Sequence, residues 1–328
     1  MPGWSEILEE IQAEQAKIED AKKQNPQHPA LFRLSGADVV RRKYLAEMAT
    51  HTGRNVIIYA SGWLQKSGLP ADYIIVHPSD IDGFMEVVKS CDKTRPLDFI
   101  LHSPGGSPEA AEQIVNYLRQ KFSDIRVIVP NMAMSAATMM ACAADIIMLA
   151  RHSTLGPTDP QMTLRTNTGD RLIPAHALKA DFEAAKVAAA SKAYMAWAPI
   201  LGQYPPGLLA QCTSALKLTK LLMKNWLKTY MFKGEKNAAM KAARIAKFFA
   251  DDKHFTHGRP LMREQLRKAG LKIDDLETDG KLQDLVMSVY HATTHTLGGT
   301  FAAKIIEGHA GKGYFKQFVP PQLRPAAQ

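Results

Sequence analysis

The chain has 328 residues, of which 46% are hydrophobic and 22% charged, and its formal net charge is +9. This composition is typical of one large globular domain or two ordinary ones, and it excludes a disordered or fibrous chain. Three scattered cysteines without a CxxC pair exclude a disulfide framework and predict reduced thiols, as in a cytoplasmic protein.

Neither the N-terminal segment nor the longest apolar stretch has the pattern of a membrane-inserted segment. The first 24 residues are polar and helical in pattern and lack the apolar core of a signal peptide. The longest apolar stretch, residues 127–150, contains Pro130, Asn131 and Asp145, and a buried aspartate is costly in a bilayer. We therefore expect a buried strand, turn and helix there, and a cytoplasmic chain with no signal peptide or transmembrane helix.

Strands and helices are predicted to alternate after a helical N-terminal extension. Apolar β-branched runs predict strands over 55–64, 73–77, 96–102, 124–130 and 145–150. Helical patterns cover 78–91, 107–122 and 131–144, and Ser107 with Pro108 after it has the pattern of a helix N-terminus. This order predicts βαβ units and a mostly parallel, buried sheet.

Two adjacent glycines, Gly105 and Gly106, stand between a predicted strand and helix in the sequence SPGGSPEA. The later glycine of the GxGxxG fingerprint is missing, and the GxxxxGK[ST] phosphate loop is absent as well, so nucleotide binding is not supported. Two readings stay open: a tight structural turn, or backbone N–H groups that face a carbonyl oxygen as an oxyanion hole.

Ser135 lies about thirty residues later in NMAMSAATMM, between a strand and an alanine-rich helix. Small neighbours suit a sharp turn that presents a side chain at a helix N-terminus, where developing negative charge is favoured. Ser135 is therefore either a nucleophile or a simple N-cap, and the common GxSxG elbow is not present.

Taken together, SPGG, the turn around Ser135 and LGPTDPQ at residues 155–161 resemble the Clp-protease/crotonase superfamily. Within it, the chain is most similar to ClpP-class serine proteases related to signal peptide peptidase A, and in particular to the serine dehydrogenase proteinases. The resemblance covers roughly residues 50–200, and the HGRP turn at 257–260 resembles a segment that follows the catalytic core. It implies an α/β fold: a ClpP/crotonase-like spiral of βαβ units. We expect an N-terminal helical extension at 1–48, a catalytic core at 49–205 and a basic helical C-terminal region at 206–328 that completes the fold.

The resemblance also implies roles for single residues. Ser135 would be the nucleophile, and backbone N–H groups of Gly105 or Gly106 and of Ala136 would form the oxyanion hole. Family members usually have glycine where this chain has Ala136, whose N–H is still available. The substrate would contact three further residues, namely Ser107, Thr158 and Asp159.

The base that activates Ser135 is predicted to be a lysine, as in the signal-peptide-peptidase branch. A lysine base must be desolvated to be neutral near pH 7. The helix after the core offers Lys179, Lys186 and Lys192, and the apolar context favours Lys186, with Lys179 as the alternative. A histidine base stays open, and so does the ordinary role of each lysine as a solvated surface residue.

No metal or other cofactor is predicted, because the histidines and cysteines lack metal-ligand spacing. Residues 216–249 carry nine basic residues and one acid, which is typical of a solvated helix face but also allows a peripheral contact with an acidic membrane; no motif for nucleic acid is present.

The sequence thus predicts an ATP-independent serine endopeptidase that cleaves peptides or proteins and assembles as a homo-oligomer. Two alternatives are an acyl-CoA enzyme of the crotonase type and a catalytically inactive scaffold that binds a membrane or a partner.

Overall fold

The computed structural model describes residues 3–25, 35–166, 169–189, 191, 193–251 and 254–320. Its helices are α1 (Trp4–Gln24), α2 (Gly36–Thr52), α3 (Ala71–Ile74), α4 (Asp80–Lys89), α5 (Pro108–Lys121), α6 (Ala136–Cys142), α7 (Ala175–Ala188), α8 (Tyr194–Leu201), α9 (Leu208–Thr229), α10 (Ala238–Phe249), α11 (Arg263–Ala269) and α12 (Gly280–Gly299). Its strands are β1 (Asn55–Ser61), β2 (Leu97–His102), β3 (Ile125–Val129), β4 (Met132–Ala133), β5 (Ile146–Leu149), β6 (Thr154–Leu155), β7 (Gln161–Thr166), β8 (Gly169–Pro174), β9 (Leu261–Met262), β10 (Ile273–Asp275), β11 (Ala302–Gly308) and β12 (Gly313–Gln317).

A seven-stranded sheet forms the centre of the fold, in the order β10-β5-β3-β2-β1-β11-β12. The five strands from β10 to β1 are parallel, whereas β11 and β12 join as an antiparallel edge. β1 and β2 are buried along their whole length, as parallel strands covered on both faces must be. The predicted α/β fold with a mostly parallel sheet is confirmed.

Alternate residues of the strands face two separate cores. On one face, Ile57, Phe99 and Val127 pack with α4, α5, α6, α9 and α10. On the other face, Ile58 and Ile100 pack with α2 and α12. Because successive side chains of each strand point to opposite faces, helices from the N-terminal, middle and C-terminal parts of the chain pack on one sheet.

The C-terminal region was predicted to be helical, but in the structure it also contains strands. It supplies β9 to β12, and β11 lies between β1 and the edge strand β12 of the main sheet. The sheet therefore crosses the boundary predicted at residue 205, and helix α2 crosses the one predicted at residue 48. This long-range pairing leaves no mark on the local sequence pattern.

The strand predicted over 73–77 is wrong. Helix α3 ends at Ile74, and only Val76 forms a bridge, to Gly106. Only Val76 of this segment is buried, and its backbone pairs with the glycine loop rather than along a strand. The segment is nevertheless important, because it lies against the candidate site.

Candidate active site

Ser135 occupies a strained turn between β4 and α6. Its φ of 52° and ψ of −120° are unusual for a residue other than glycine, and its side chain makes no capping hydrogen bond. Strain of this kind is typical of sites where the surrounding structure holds a functional side chain in place. The simple N-cap reading of Ser135 is therefore not supported.

Thr138 holds this turn against the LGPTDPQ segment. Its hydroxyl lies 2.8 Å from the carbonyl of Ala133 and 3.0 Å from that of Gly156, and it accepts the N–H of Gly156 at 2.9 Å. All seven residues of α6 are buried. Two of the sequence motifs are thus joined by one buried hydroxyl, which explains the threonine three residues after Ser135.

Gly105 packs directly against the Ser135 turn. A Cβ added at Gly105 would lie 2.4 Å from the carbonyl oxygen of Met134 and 2.7 Å from Cβ of Ser135, and the φ of 90° also requires glycine. Its own N–H faces the hydroxyl of Ser103 at 3.2 Å. Gly105 therefore allows the close approach of the glycine loop to the Ser135 turn, and it does not offer a free N–H.

The N–H groups of Gly106 and Ala136 remain without an acceptor among the described residues. Gly106 has a φ of 151°, and an added Cβ there would lie 2.5 Å from the carbonyl oxygen of Val76. Ala136 is the first residue of α6, so its N–H has no partner within the helix. These two amides are the donors that an oxyanion could use.

A cavity of about 570 Å³ brings most of the predicted site residues together. It is lined by Ser135, both glycines, Ala136 and Thr158, and by one residue that the sequence analysis had not assigned to the site, His257. Its other lining residues include the apolar side chains of Ile75, Met139, Met162 and Leu172.

His257 forms an ion-pair or hydrogen-bond contact with Asp159. Nδ1 of the ring lies 2.8 Å from Oδ1 of the carboxylate, whose other oxygen accepts the side-chain amide of Gln161 at 2.8 Å. Asp159 is 4% exposed, so its carboxylate is held away from water. Nε2 of His257 and Oγ of Ser135 make no hydrogen bond within the described part of the chain. Asp159 therefore orients a histidine in the cavity of the serine.

Sequence reasoning missed His257, because a histidine base was left open without a residue and His257 itself was considered for metal binding only. The available signal was the HGRP turn at 257–260. Nothing local connects that turn to Ser135, since the two residues are more than a hundred positions apart. The described residues contain no group of three His, Cys, Asp or Glu side chains that could hold a metal ion.

Ser107 and Thr158 have structural partners. The hydroxyl of Ser107 caps α5 by accepting the N–H of Ala110 at 3.0 Å, as the sequence predicted, and it donates to Glu109. Thr158 is buried, lines the cavity, and lies 3.3 Å from the sulfur of Met223.

The lysines predicted as bases do not line the cavity. Lys186 is 57% exposed and pairs with Glu183 on the surface of α7, so the desolvation expected for it is absent. Lys179 donates to Thr213 of α9 at 3.0 Å, on the helix that supplies Ala215 to the cavity wall. Lys192 lies outside the described residues.

The basic stretch at 216–249 uses its apolar face in the core. Trp226, Leu227 and Ile245 are buried, and most of the lysines between them are exposed. This is the pattern of a solvated helix face. Among the described residues, no helix is both long and apolar enough to cross a membrane.

Residues 32–172 match the family model of the ClpP-like SDH-type serine proteinases. Two uncharacterized proteins of Methanocaldococcus jannaschii are 35% and 32% identical over 126 and 124 residues, which are 38% and 37% of this chain. The chain spans less than half of the length of these relatives, 44% and 42%.

Among solved structures, a mutant of the membrane-bound stomatin-specific protease 1510-N aligns with 61% of this chain and 74% of its own, at 16% identity and a TM-score of 0.36. The match of residues 32–172 includes both glycines, Ser135 and Asp159. Through this segment, the chain is similar to the ClpP-like SDH-type serine proteinases.

Proposed function

We propose that this protein is a serine peptidase in which Ser135 is the nucleophile and His257, oriented by Asp159, is the general base. One observation carries the proposal: a hydroxyl on a strained turn, two free amides and a carboxylate-paired histidine share a single cavity. This combination fits acyl transfer, because it supplies a nucleophile, a base and a stabiliser for the oxyanion.

The proposed reaction uses the contact between His257 and Asp159 and requires Nε2 of the ring to reach Oγ of Ser135. With Nδ1–H donated to Asp159, Nε2 of His257 carries the lone pair that takes the proton from Oγ of Ser135. Oγ then forms a bond to the substrate carbonyl carbon, and the oxygen that becomes negative is held by the N–H groups of Gly106 and Ala136. The imidazolium returns its proton to the leaving amine as the C–N bond breaks. Water, deprotonated by the same ring, hydrolyses the resulting ester and frees Ser135.

The cavity favours an extended peptide with apolar side chains. Ile75, Met139, Met162 and Leu172 line it, and its volume of about 570 Å³ holds more than one side chain. The sequence has neither nucleotide-binding motif, so we propose hydrolysis without ATP or another cofactor.

A lysine base is the second candidate mechanism. Lys179 is the better placed of the two described lysines, since its partner Thr213 lies two positions from Ala215 on the cavity wall. Lys186 would need to leave Glu183 and lose its water to act as a base.

We also propose that the protein assembles as a homo-oligomer through α8. None of the residues of this helix is buried, although its sequence YMAWAPIL is entirely uncharged. An exposed apolar patch of this kind is typical of a protein–protein interface, and a second copy of the chain can cover it without charge complementarity. A peripheral membrane contact would depend on the exposed lysines of α9 and α10 alone, because their apolar faces are in the core.

Labelling with a fluorophosphonate probe tests the proposed function. We expect the probe to add to Ser135, as located by mass spectrometry of the modified peptide, and peptide hydrolysis to stop in proportion. Ser135→Ala should abolish both, and heat-denatured protein should not react. A folded protein that never reacts, or a Ser135→Ala variant that still hydrolyses peptides, would contradict the proposal; the first result would favour a scaffold.

A further inference from the structure

Lys304 and Asp80 form a buried ion pair beneath the glycine loop. Both side chains are fully buried, and the amine lies 2.7 Å from each carboxylate oxygen. Lys304 is on β11, far outside the residues matched by the family model, and Asp80 is the first residue of α4. A charge pair in this position is unusual, because removing two ions from water costs several kcal/mol for each.

The pair holds the segment 75–77 by its backbone. Nζ of Lys304 donates to the carbonyl of Ile75 at 2.5 Å. Oδ2 of Asp80 accepts the N–H of His77 at 3.0 Å and the hydroxyl of Tyr59 at 2.8 Å. A segment with no regular secondary structure is thus fixed at both ends by one buried pair.

The same segment holds the glycine loop. The N–H of Val76 donates to the carbonyl of Gly105 at 2.7 Å, and its carbonyl accepts the N–H of Ser107 at 3.0 Å. Gly106 lies between these two bonds, and its N–H is left free on the side of the cavity. A shift of Val76 would therefore rotate the peptide that presents the Gly106 N–H.

We propose that Lys304 is a positioning residue for the oxyanion hole, acting through Asp80 and the segment 75–77 on the N–H of Gly106. The inference rests on the proposed function, since it assigns a task to the oxyanion hole of that same site. Lys304 does not line the cavity and takes no part in proton transfer.

The chemistry of the pair supports a positioning role over one in stability. Desolvation lowers the pKa of Lys304 to about 8, against the opposing effect of Asp80. Apolar side chains of similar volume would avoid this cost and often stabilise a core as well or better. They would leave the Ile75 carbonyl and the His77 N–H without partners.

The variant Lys304→Met tests this, with Arg41→Met as its matched control. Arg41 also forms a fully buried ion pair on β11, with Glu307, which lies three residues from Lys304 and so on the other face of the strand. Both variants should lose stability to thermal unfolding, because Lys304→Met leaves the Asp80 carboxylate without its cation and Arg41→Met leaves Glu307 paired with Arg42 alone. Only Lys304→Met should disturb the oxyanion hole.

The readout compares two inhibitors. A peptide boronate adds to Ser135 and places a negative oxygen in the oxyanion hole, whereas the corresponding product peptide does not. For Lys304→Met we expect boronate affinity and kcat to fall together by about 10²-fold, as for loss of one oxyanion donor. Product affinity and KM should stay within about threefold, and Arg41→Met should change none of the four.

Asp80→Asn is the second variant, in case Lys304→Met does not fold. It keeps an oxygen for the His77 N–H and removes the charge that holds Lys304, so we expect the same split at about tenfold. Equal boronate affinity in the wild type and both pair variants, or equal losses in Lys304→Met and Arg41→Met, would overturn the inference and leave the peptidase assignment intact. A wild type that forms no adduct with the boronate would overturn both.

Discussion

Two of the regions that contribute to the cavity wall differ in character. The region from β2 to α6 is tightly packed: every residue of β2 and of α6 is buried, and Gly105, Thr138 and Gly156 lock its turns together. The region from β7 to α8 is open, and in β8 and α8 no residue is buried. The packed region holds the proposed nucleophile and the proposed oxyanion donors in place. The open region contains the helix through which we propose that the protein assembles.

The difference also bears on the choice of His257 as the proposed base. The candidate lysines belong to the open region, where water surrounds Lys186. His257 lies beside the packed region and is held by the buried carboxylate of Asp159. A base needs a fixed position and a matched pKa, and only the packed side provides a fixed position here.

Substituting the candidate bases one at a time should give the largest difference in peptidase activity between the two regions. We expect His257→Ala to lower kcat/KM for a peptide substrate by about 10²–10⁴-fold, because Ser135 loses its proton acceptor. Lys186→Met, and separately Lys179→Met, should stay within about twofold. The reverse pattern would support the Ser–Lys dyad and would place the catalytic base in the open region.

Alanine substitutions at two glycines with positive φ distinguish the effect of close packing on stability from the effect of backbone conformation. Gly105→Ala combines a left-handed conformation with a clash at 2.4 Å and should lower the free energy of unfolding by about 3 kcal/mol. Gly53→Ala, at φ 66° and with no atom within 4 Å of the new Cβ, should cost only about 1 kcal/mol. Chemical denaturation measures both; equal losses would show that the Ser135 turn is less tightly packed than its contacts indicate.

Acid should weaken the packed region through His102. Burial lowers the pKa of this histidine to about 4, so the folded protein keeps it neutral while the unfolded chain binds a proton below about pH 6.5. The stability it contributes is present above pH 6.5 and is lost as the pH falls toward 4; the loss is about 2 kcal/mol at pH 5.

Denaturation curves of the wild type and His102→Phe at pH 7 and pH 5 measure this effect. The ring of phenylalanine keeps the edge contact with Tyr290, and the variant should lose less stability between the two pH values than the wild type. Identical losses would assign the acid sensitivity to other groups.

The smallest effect is expected for a substitution in the open region, which should change assembly alone. Met195 of α8 is 74% exposed, and Met195→Lys should shift the sedimentation coefficient toward that of the monomer. Met240→Lys, at a methionine that is 68% exposed on α10, is the matched control and should leave it unchanged. An oligomer unaffected by Met195→Lys would move the interface away from α8.

The parallel sheet, the glycine turn and the placement of Ser135 between a strand and a helix were all predicted from the sequence. These features are local: apolar runs specify buried strands, and a strand followed by small residues and a helix start specifies the turn. Helix α5 begins as predicted, with Ser107 as its cap.

The residues that surround Ser135 could be identified only once the packing of the elements was known. His257 reaches the cavity because β9, four residues later in the chain, pairs with β6. Lys304 reaches the segment 75–77 because β11 lies beside β1. Both pairings join parts of the chain more than a hundred residues apart, and such contacts depend on how elements pack rather than on any pattern within them. The same packing leaves Lys186 in water, which its apolar neighbours in sequence did not indicate.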